Sequence, residues 1–208
     1  MTAPARKRPW YLVLALLGAL ALGSMGACRG WKAVELYREP VDMSLAGEGI
    51  ADEADRAAVV ARAQAFLQTL DAEKARGWPL AVATLILGGA LFTFAIRAMG
   101  GSAGSRAVLI QLVMAQAATN ALSLLLLHDV FDAEFRYWEA WQAARIRANP
   151  PDGARTEETL RTLSSVAPAV PGVELALYSI TSALIVVALT RRRSRDLLDA
   201  GTEVLGDS

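Results

Sequence analysis

Apolar residues in this chain gather into four long blocks instead of alternating with polar ones. The blocks cover residues 10–27, 79–96, 107–127 and 173–190, and the first three contain no ionisable group. The fourth carries one, Glu174, in its first turn. A hydrocarbon layer of about 30 Å is crossed by about 20 mostly apolar residues in a helix, and each block is of that order. None shows the alternation of a membrane barrel, and open strands would leave backbone groups unpaired in lipid. The pattern therefore predicts an all-α fold, a four-helix transmembrane bundle forming one integral membrane domain over residues 1–208. A short inner loop, 97–106, and two long outer loops, 28–78 and 128–172, connect the spans.

The outer loops carry patterns of their own. Between Asp52 and Arg76, Val59, Val60, Ala63, Phe66, Leu67 and Leu70 recur at three- and four-residue spacing with charges on the opposite face. That is an amphipathic helix. The second loop begins as a continuation of the third span, with an aromatic-rich face of Phe131, Phe135, Trp138 and either Trp141 or Ile146. Asn149-Pro150-Pro151-Asp152-Gly153 ends it, and Thr156 is placed to cap a short helix over 157–166. The aromatics admit three roles: a belt at the membrane interface, packing against the 52–76 helix, or a face for a partner.

Charge sets the orientation. Arg6, Lys7 and Arg8 precede the first block, Arg97 and Arg106 flank the short loop, and Arg191, Arg192, Arg193 and Arg195 follow the last block. With the N-terminus inside, the inner segments hold 9 basic residues in 37 positions and the outer loops 12 in 96. Basic residues accumulate on the cytoplasmic side, so both termini are expected there. Trp10, Tyr11 and Trp78 stand at span boundaries, where amphipathic rings favour the headgroup level.

Composition narrows the function classes. Of 208 residues 54% are hydrophobic, the 21 basic and 21 acidic residues cancel, and mean hydropathy is +0.32. A neutral chain gives no reason to expect nucleic acid. One cysteine excludes an internal disulfide or a multi-thiolate metal site, and one histidine excludes a bis-histidine haem within a single copy. No phosphate loop, nucleophile elbow, metalloprotease helix or cofactor motif is visible. Lysine is scarce, 3 against 18 arginines. Together with abundant alanine, this suggests a G+C-rich bacterial source and hence a bacterial inner membrane.

The first block has a second reading. A basic start, an apolar stretch and small residues also describe a secretory signal. Gly23-Ser24-Met25-Gly26-Ala27-Cys28 resembles a lipoprotein cleavage box in which Cys28 would be lipidated, although Met25 stands where a leucine-like residue is usual. A retained helix is preferred on the length of the apolar run. Ala15, Ala19, Gly23 and Ala27 then form a ladder of small residues on one face. Gly88 and Gly89, with Ala81 and Thr93, offer a matching face on the second span.

Polar residues inside the later spans are the candidates for function. Gln116, Thr119, Asn120 and Ser123 form one stripe, and Glu174, Tyr178, Thr181 and Ser182 form another. Amides and hydroxyls cost free energy when they face lipid, so these faces should meet. They would act as hydrogen-bonding glue or line a polar passage. At the outer ends, His128, Asp129 and Glu174 make an ionisable cluster. It is read either as solvated helix-end groups or as a metal or proton-relay site. Three function classes follow. The first is a non-catalytic protein that associates with a partner or with itself through the outer helices. The second is a small transporter or channel subunit using the polar stripes. The third is a membrane enzyme or metal protein centred on His128, Asp129 and Glu174. The first is preferred, with the lipid bilayer as its one certain partner.

Overall fold

The computed structural model describes residues 9–39, 46–101, 104–148, 153–166 and 169–198. Among the described residues there is no strand. In the described residues eight helices follow one another: α1 (Trp10–Arg38), α2 (Glu53–Ala72), α3 (Lys74–Met99), α4 (Ser105–Leu126), α5 (His128–Ala148), α6 (Gly153–Val166), α7 (Val170–Thr190) and α8 (Arg192–Leu198). Four of them, α1, α3, α4 and α7, are long and apolar enough to cross a membrane. The basic cluster Arg6–Arg8, the Asn149–Asp152 breaker and the Thr156 side chain lie outside the described residues.

The helices outrun the apolar blocks. α1 continues eleven residues past Ala27 to Arg38. Charges end a hydropathy window there but do not end a helix, because Arg29, Lys32, Glu35 and Arg38 are good helix formers. α3 begins at Lys74 and passes through Pro79. Proline near a helix start forfeits one backbone bond, and its fixed φ suits the helix. Three junctions are only one residue wide, at Glu73, Leu127 and Arg191. α2 passes into α3 at Glu73, where the Arg76 and Gly77 amides bond to the Glu73 carbonyl at 3.0 and 2.8 Å. α4 passes into α5 at Leu127, which accepts from Val130 and Phe131 at 3.0 and 3.1 Å.

Backbone contacts divide the chain into two compact units. Unit 1 comprises residues 1–32, 81–121 and 176–208, and unit 2 comprises 33–80 and 122–175.

Unit 1 is held by close backbone approach. A Cβ on Gly23 would lie 2.9 Å from the Phe92 Cα and 3.0 Å from the Gly88 carbonyl oxygen. One on Gly88 would lie 2.6 Å from the Gly26 carbonyl carbon, and one on Gly30 would strike the Leu85 backbone. Ala15, Ala19 and Gly23 of the predicted ladder are buried and Ala27 is half-buried. On the second span only Gly88 takes part in the crossing, since space is open around the Gly89 Cα. Leu12, Leu16, Leu91, Leu109, Val113 and Leu189 fill the core, all within 1% of full burial. The outer surface is apolar as well: Ile86, Met114, Leu177, Ile180, Leu184 and Val187 are more than half exposed. α8 folds back on the core. Its Ser194 hydroxyl donates to the Ala188 carbonyl at 2.8 Å, Leu198 is buried, and the Gly104 amide donates to the Leu198 carbonyl at 3.2 Å.

Unit 2 is built like a water-soluble helix pair. Asp52 caps α2, its carboxylate accepting from the Asp55 amide at 2.9 Å. The predicted apolar face turns inward, with Val59, Ala63, Phe66 and Leu70 buried. It packs antiparallel on α5. Val59 and Ile50 meet Ala144, Ala140, Tyr137 and Trp141, and Phe66 stacks on Tyr137 with ring centroids 6.4 Å apart and planes 2° from parallel. Arg147 pairs with Asp55 at the far end. The Arg56 guanidinium reaches back to the Ile50 carbonyl at 2.8 and 3.2 Å and fixes the loop before α2. Tyr37 fills the space that a side chain at position 77 would need, so Gly77 is the residue that fits.

Candidate functional site

Apart from Ser105 at the start of α4 and Ser194 in α8, the buried polar side chains of unit 1 lie in the last two turns of its share of α4 and the first two turns of its share of α7. α4 supplies Gln116, fully buried, and Asn120, half-buried. α7 supplies Tyr178, 7% exposed, and Ser182, 3% exposed. The i, i+4 spacing on each helix puts both members of each pair on one face, and the inward turn of that face follows from the cost of showing an amide to hydrocarbon. α1 contributes by omission. A Cβ at Gly26 would overlap the Gln116 carboxamide, so the glycine makes the notch in which the amide sits. Asn120, Gln116 and the Arg29 guanidinium are the polar neighbours of the Tyr178 hydroxyl.

Proximity here does not become bonding. The Gln116 Nε2 and Oε1, the Tyr178 hydroxyl and the Ser182 hydroxyl are all buried, and none has a hydrogen-bond partner. The third-span hydroxyl of Thr119 behaves otherwise and donates to the Ala115 carbonyl at 2.9 Å within its own helix. Thr181 does the same to Leu177 at 2.8 Å.

Of the eight stripe residues, then, Gln116, Thr119, Asn120, Tyr178, Thr181 and Ser182 share unit 1, and Gln116, Asn120 and Tyr178 are neighbours. Ser123 and Glu174 belong to unit 2, half-buried and exposed respectively. Neither Gly26 nor Arg29 is marked as a site residue by the polar stripes, since both lie on α1. Gly26 was legible as the start of a second small-residue row, Gly26 and Gly30, one position off the Ala15–Ala27 ladder.

The ionisable residues His128, Asp129 and Glu174 lie in unit 2. The His128 Nε2 is 3.1 Å from the Asp129 carboxylate, with 71% and 68% of the two side chains exposed. Among the described residues no three His, Cys, Asp or Glu side chains converge as a metal-holding group, so Glu174 does not complete one with His128 and Asp129. Asp129 instead lines an open cleft of about 360 Å³ with Arg62, Thr69, Asp132 and Arg136. The two arginines balance the two acids, and Arg136 bonds Asp132 at 3.1 Å one turn away. Cys28 is exposed with a free thiol. No protein-family model, characterised protein or solved structure matches the chain.

Proposed function

We propose that this chain is a polytopic bacterial inner-membrane protein with four transmembrane helices and cytoplasmic termini. It acts without catalysis, by association with a partner or a second copy through the helices between its spans. The observation that carries this reading is the self-contained core of unit 2. Spans need only a few residues to connect them, yet α2 and α5 build a capped, stacked and ion-paired helix pair. Such a pair is a platform, and α5 keeps a contact surface on its outside. Phe135 and Trp138 pack on each other with centroids 5.4 Å apart, and Trp138 remains 42% exposed. Aromatic anchors of this kind dominate protein contacts.

A photo-crosslinking residue at position 138 should trap a discrete adduct in cells, and Phe135→Glu should abolish it without reducing membrane insertion. Glu174→Gln should be silent. A monodisperse monomer with no adduct at position 138 overturns the reading. A fluorescent fusion at the C-terminus should shine in the cytoplasm. In this reading α1 is retained, with Gly23, Gly26 and Ala27 as packing positions and Cys28 unmodified. An intact mass lacking the first 27 residues and carrying lipid would refute that.

A further inference from the structure

Beyond association, the core of unit 1 holds a feature that packing does not explain. Four buried polar atoms on Gln116, Tyr178 and Ser182 lack partners. In hydrocarbon each such group costs free energy comparable to a lost hydrogen bond. Glue would be expected to bond across helices, and here the Tyr178 hydroxyl lies beside the Gln116 amide without doing so, while the Ser182 hydroxyl one turn along α7 is also buried without a partner. The chemistry of the set restricts what would satisfy it. The amide offers donors and an acceptor, and each hydroxyl is both. None of the three side chains is ionised, and the nearest charge, the Arg29 guanidinium beside the Tyr178 hydroxyl, is already engaged in an interaction of its own, so a charged guest would have to leave water with no free opposite charge to receive it. Within the next two turns, Val113, Leu109, Ile185 and Leu189 are 0–3% exposed and wholly apolar, so no polar path continues beyond the cluster on these helices.

We propose that Gln116, Tyr178 and Ser182, with Asn120 beside them and Gly26 making room for the amide, bind a small uncharged solute carrying both hydrogen-bond donors and acceptors, an amide or a polyol. Gln116 bonds the solute from α4 while Tyr178 and Ser182 bond it from two successive turns of α7.

The test is thermal unfolding of the full chain in detergent, with acetamide and glycerol as neutral probes and acetate and methylammonium as charged counterparts of similar size. A neutral probe should raise Tm saturably, by about 3 °C at tenfold excess over half-saturation, and the charged probes should not. Tyr178→Phe and Gln116→Leu should abolish the rise. Ser182→Ala, which removes a single hydroxyl, should weaken it at least threefold in half-saturating concentration, and it serves if the bulkier change at position 116 does not fold. The proposal is overturned if neither neutral probe gives a saturable rise, which would leave the groups hydrated by water alone. It is equally overturned if the charged probes stabilise as well, or if the rise survives in Tyr178→Phe. None of these outcomes depends on association through α2 and α5, so the two readings fail separately.

Discussion

The two compact units solve the same problem, holding helices together, with opposite materials. Unit 1 brings backbones into contact at Gly23, Gly26, Gly30 and Gly88 and leaves large apolar side chains such as Leu184 and Ile86 facing out. Unit 2 buries Val59, Phe66 and Leu70 and arranges ion pairs around the edge. The solvent explains the contrast. In water, removing apolar surface is favourable at roughly 25 cal/mol per Å², so an amphipathic helix gains by turning its apolar face inward. In lipid that gain vanishes, because the tails are as apolar as leucine, and association falls to dispersion at close range and to polar contacts. α1, α3, α4 and α7, the helices long and apolar enough to cross a membrane, each pass from one strategy to the other along their length.

If that is right, the largest effect of a single substitution lies in the water-type core. Phe66→Ala removes a ring that is 6% exposed and stacked on Tyr137, at a cost of about 3 kcal/mol. Hydrogen exchange should speed up roughly 100-fold across α2 and α5 and stay unchanged in α3 between 85 and 96. Equal acceleration in both units would mean that they unfold as one, and the contrast would lose its energetic content.

Next comes the lipid-type core. Gly88→Ala drives a methyl against the α1 backbone, where the obstacles are main-chain atoms that have no rotamer to change. Overpacking of this kind costs about 2 kcal/mol, read as a lowered Tm in detergent with faster exchange in α1 and α3 only. An unchanged Tm would remove the backbone crossing as the main tie of unit 1.

The same contrast explains what the sequence revealed. The spans were legible because their signal is bulk hydropathy, and the α2 face because Val59, Ala63, Phe66 and Leu70 repeat at helical spacing. The α1 extension was not legible, since its charges at 29, 32, 35 and 38 end a hydropathy window while leaving a helix intact. Nor was α8. Arg192 to Arg195 mask the burial of Ser194 and Leu198, which only the folded-back tail produces. Among the α5 aromatics, spacing grouped Phe131, Phe135 and Trp138 with either Trp141 or Ile146 and left open what they face; Trp141 and the ungrouped Tyr137 are the ones that pack on the α2 core. One position of phase, about 100°, decides which ring is inside. In the candidate site the polar stripes were legible by residue type. Their lack of bonding was not, because it depends on distances between α4 and α7 that spacing along one helix does not encode.

Electrostatics supplies a smaller test. Arg147 joins Asp55 with 53% of the arginine side chain and 16% of the aspartate exposed. Arg147→Ala should cost under about 1 kcal/mol, with the loss concentrated in the ends of α2 and α5 and reduced by salt. Raised ionic strength should therefore loosen unit 2 slightly and leave unit 1 untouched. A salt effect of the same size in exchange across α3 and α4 would contradict an apolar environment for unit 1.

The smallest effect is the most discriminating. Gly89 is next to Gly88 on the same helix, yet space is open where its Cβ would be, and its carbonyl is already satisfied by the Thr93 hydroxyl at 2.8 Å. Gly89→Ala should change stability by less than about 0.5 kcal/mol, and in the stabilising direction, because alanine is the better helix former. If composition alone tied α1 to α3, two adjacent glycines would be interchangeable. If the tie is a particular line of backbone contact, moving the same methyl by one residue, about 100° around the helix, should separate the two variants by about 2 kcal/mol. Equal Tm values for Gly88→Ala and Gly89→Ala would show that the crossing is not where the glycines put it.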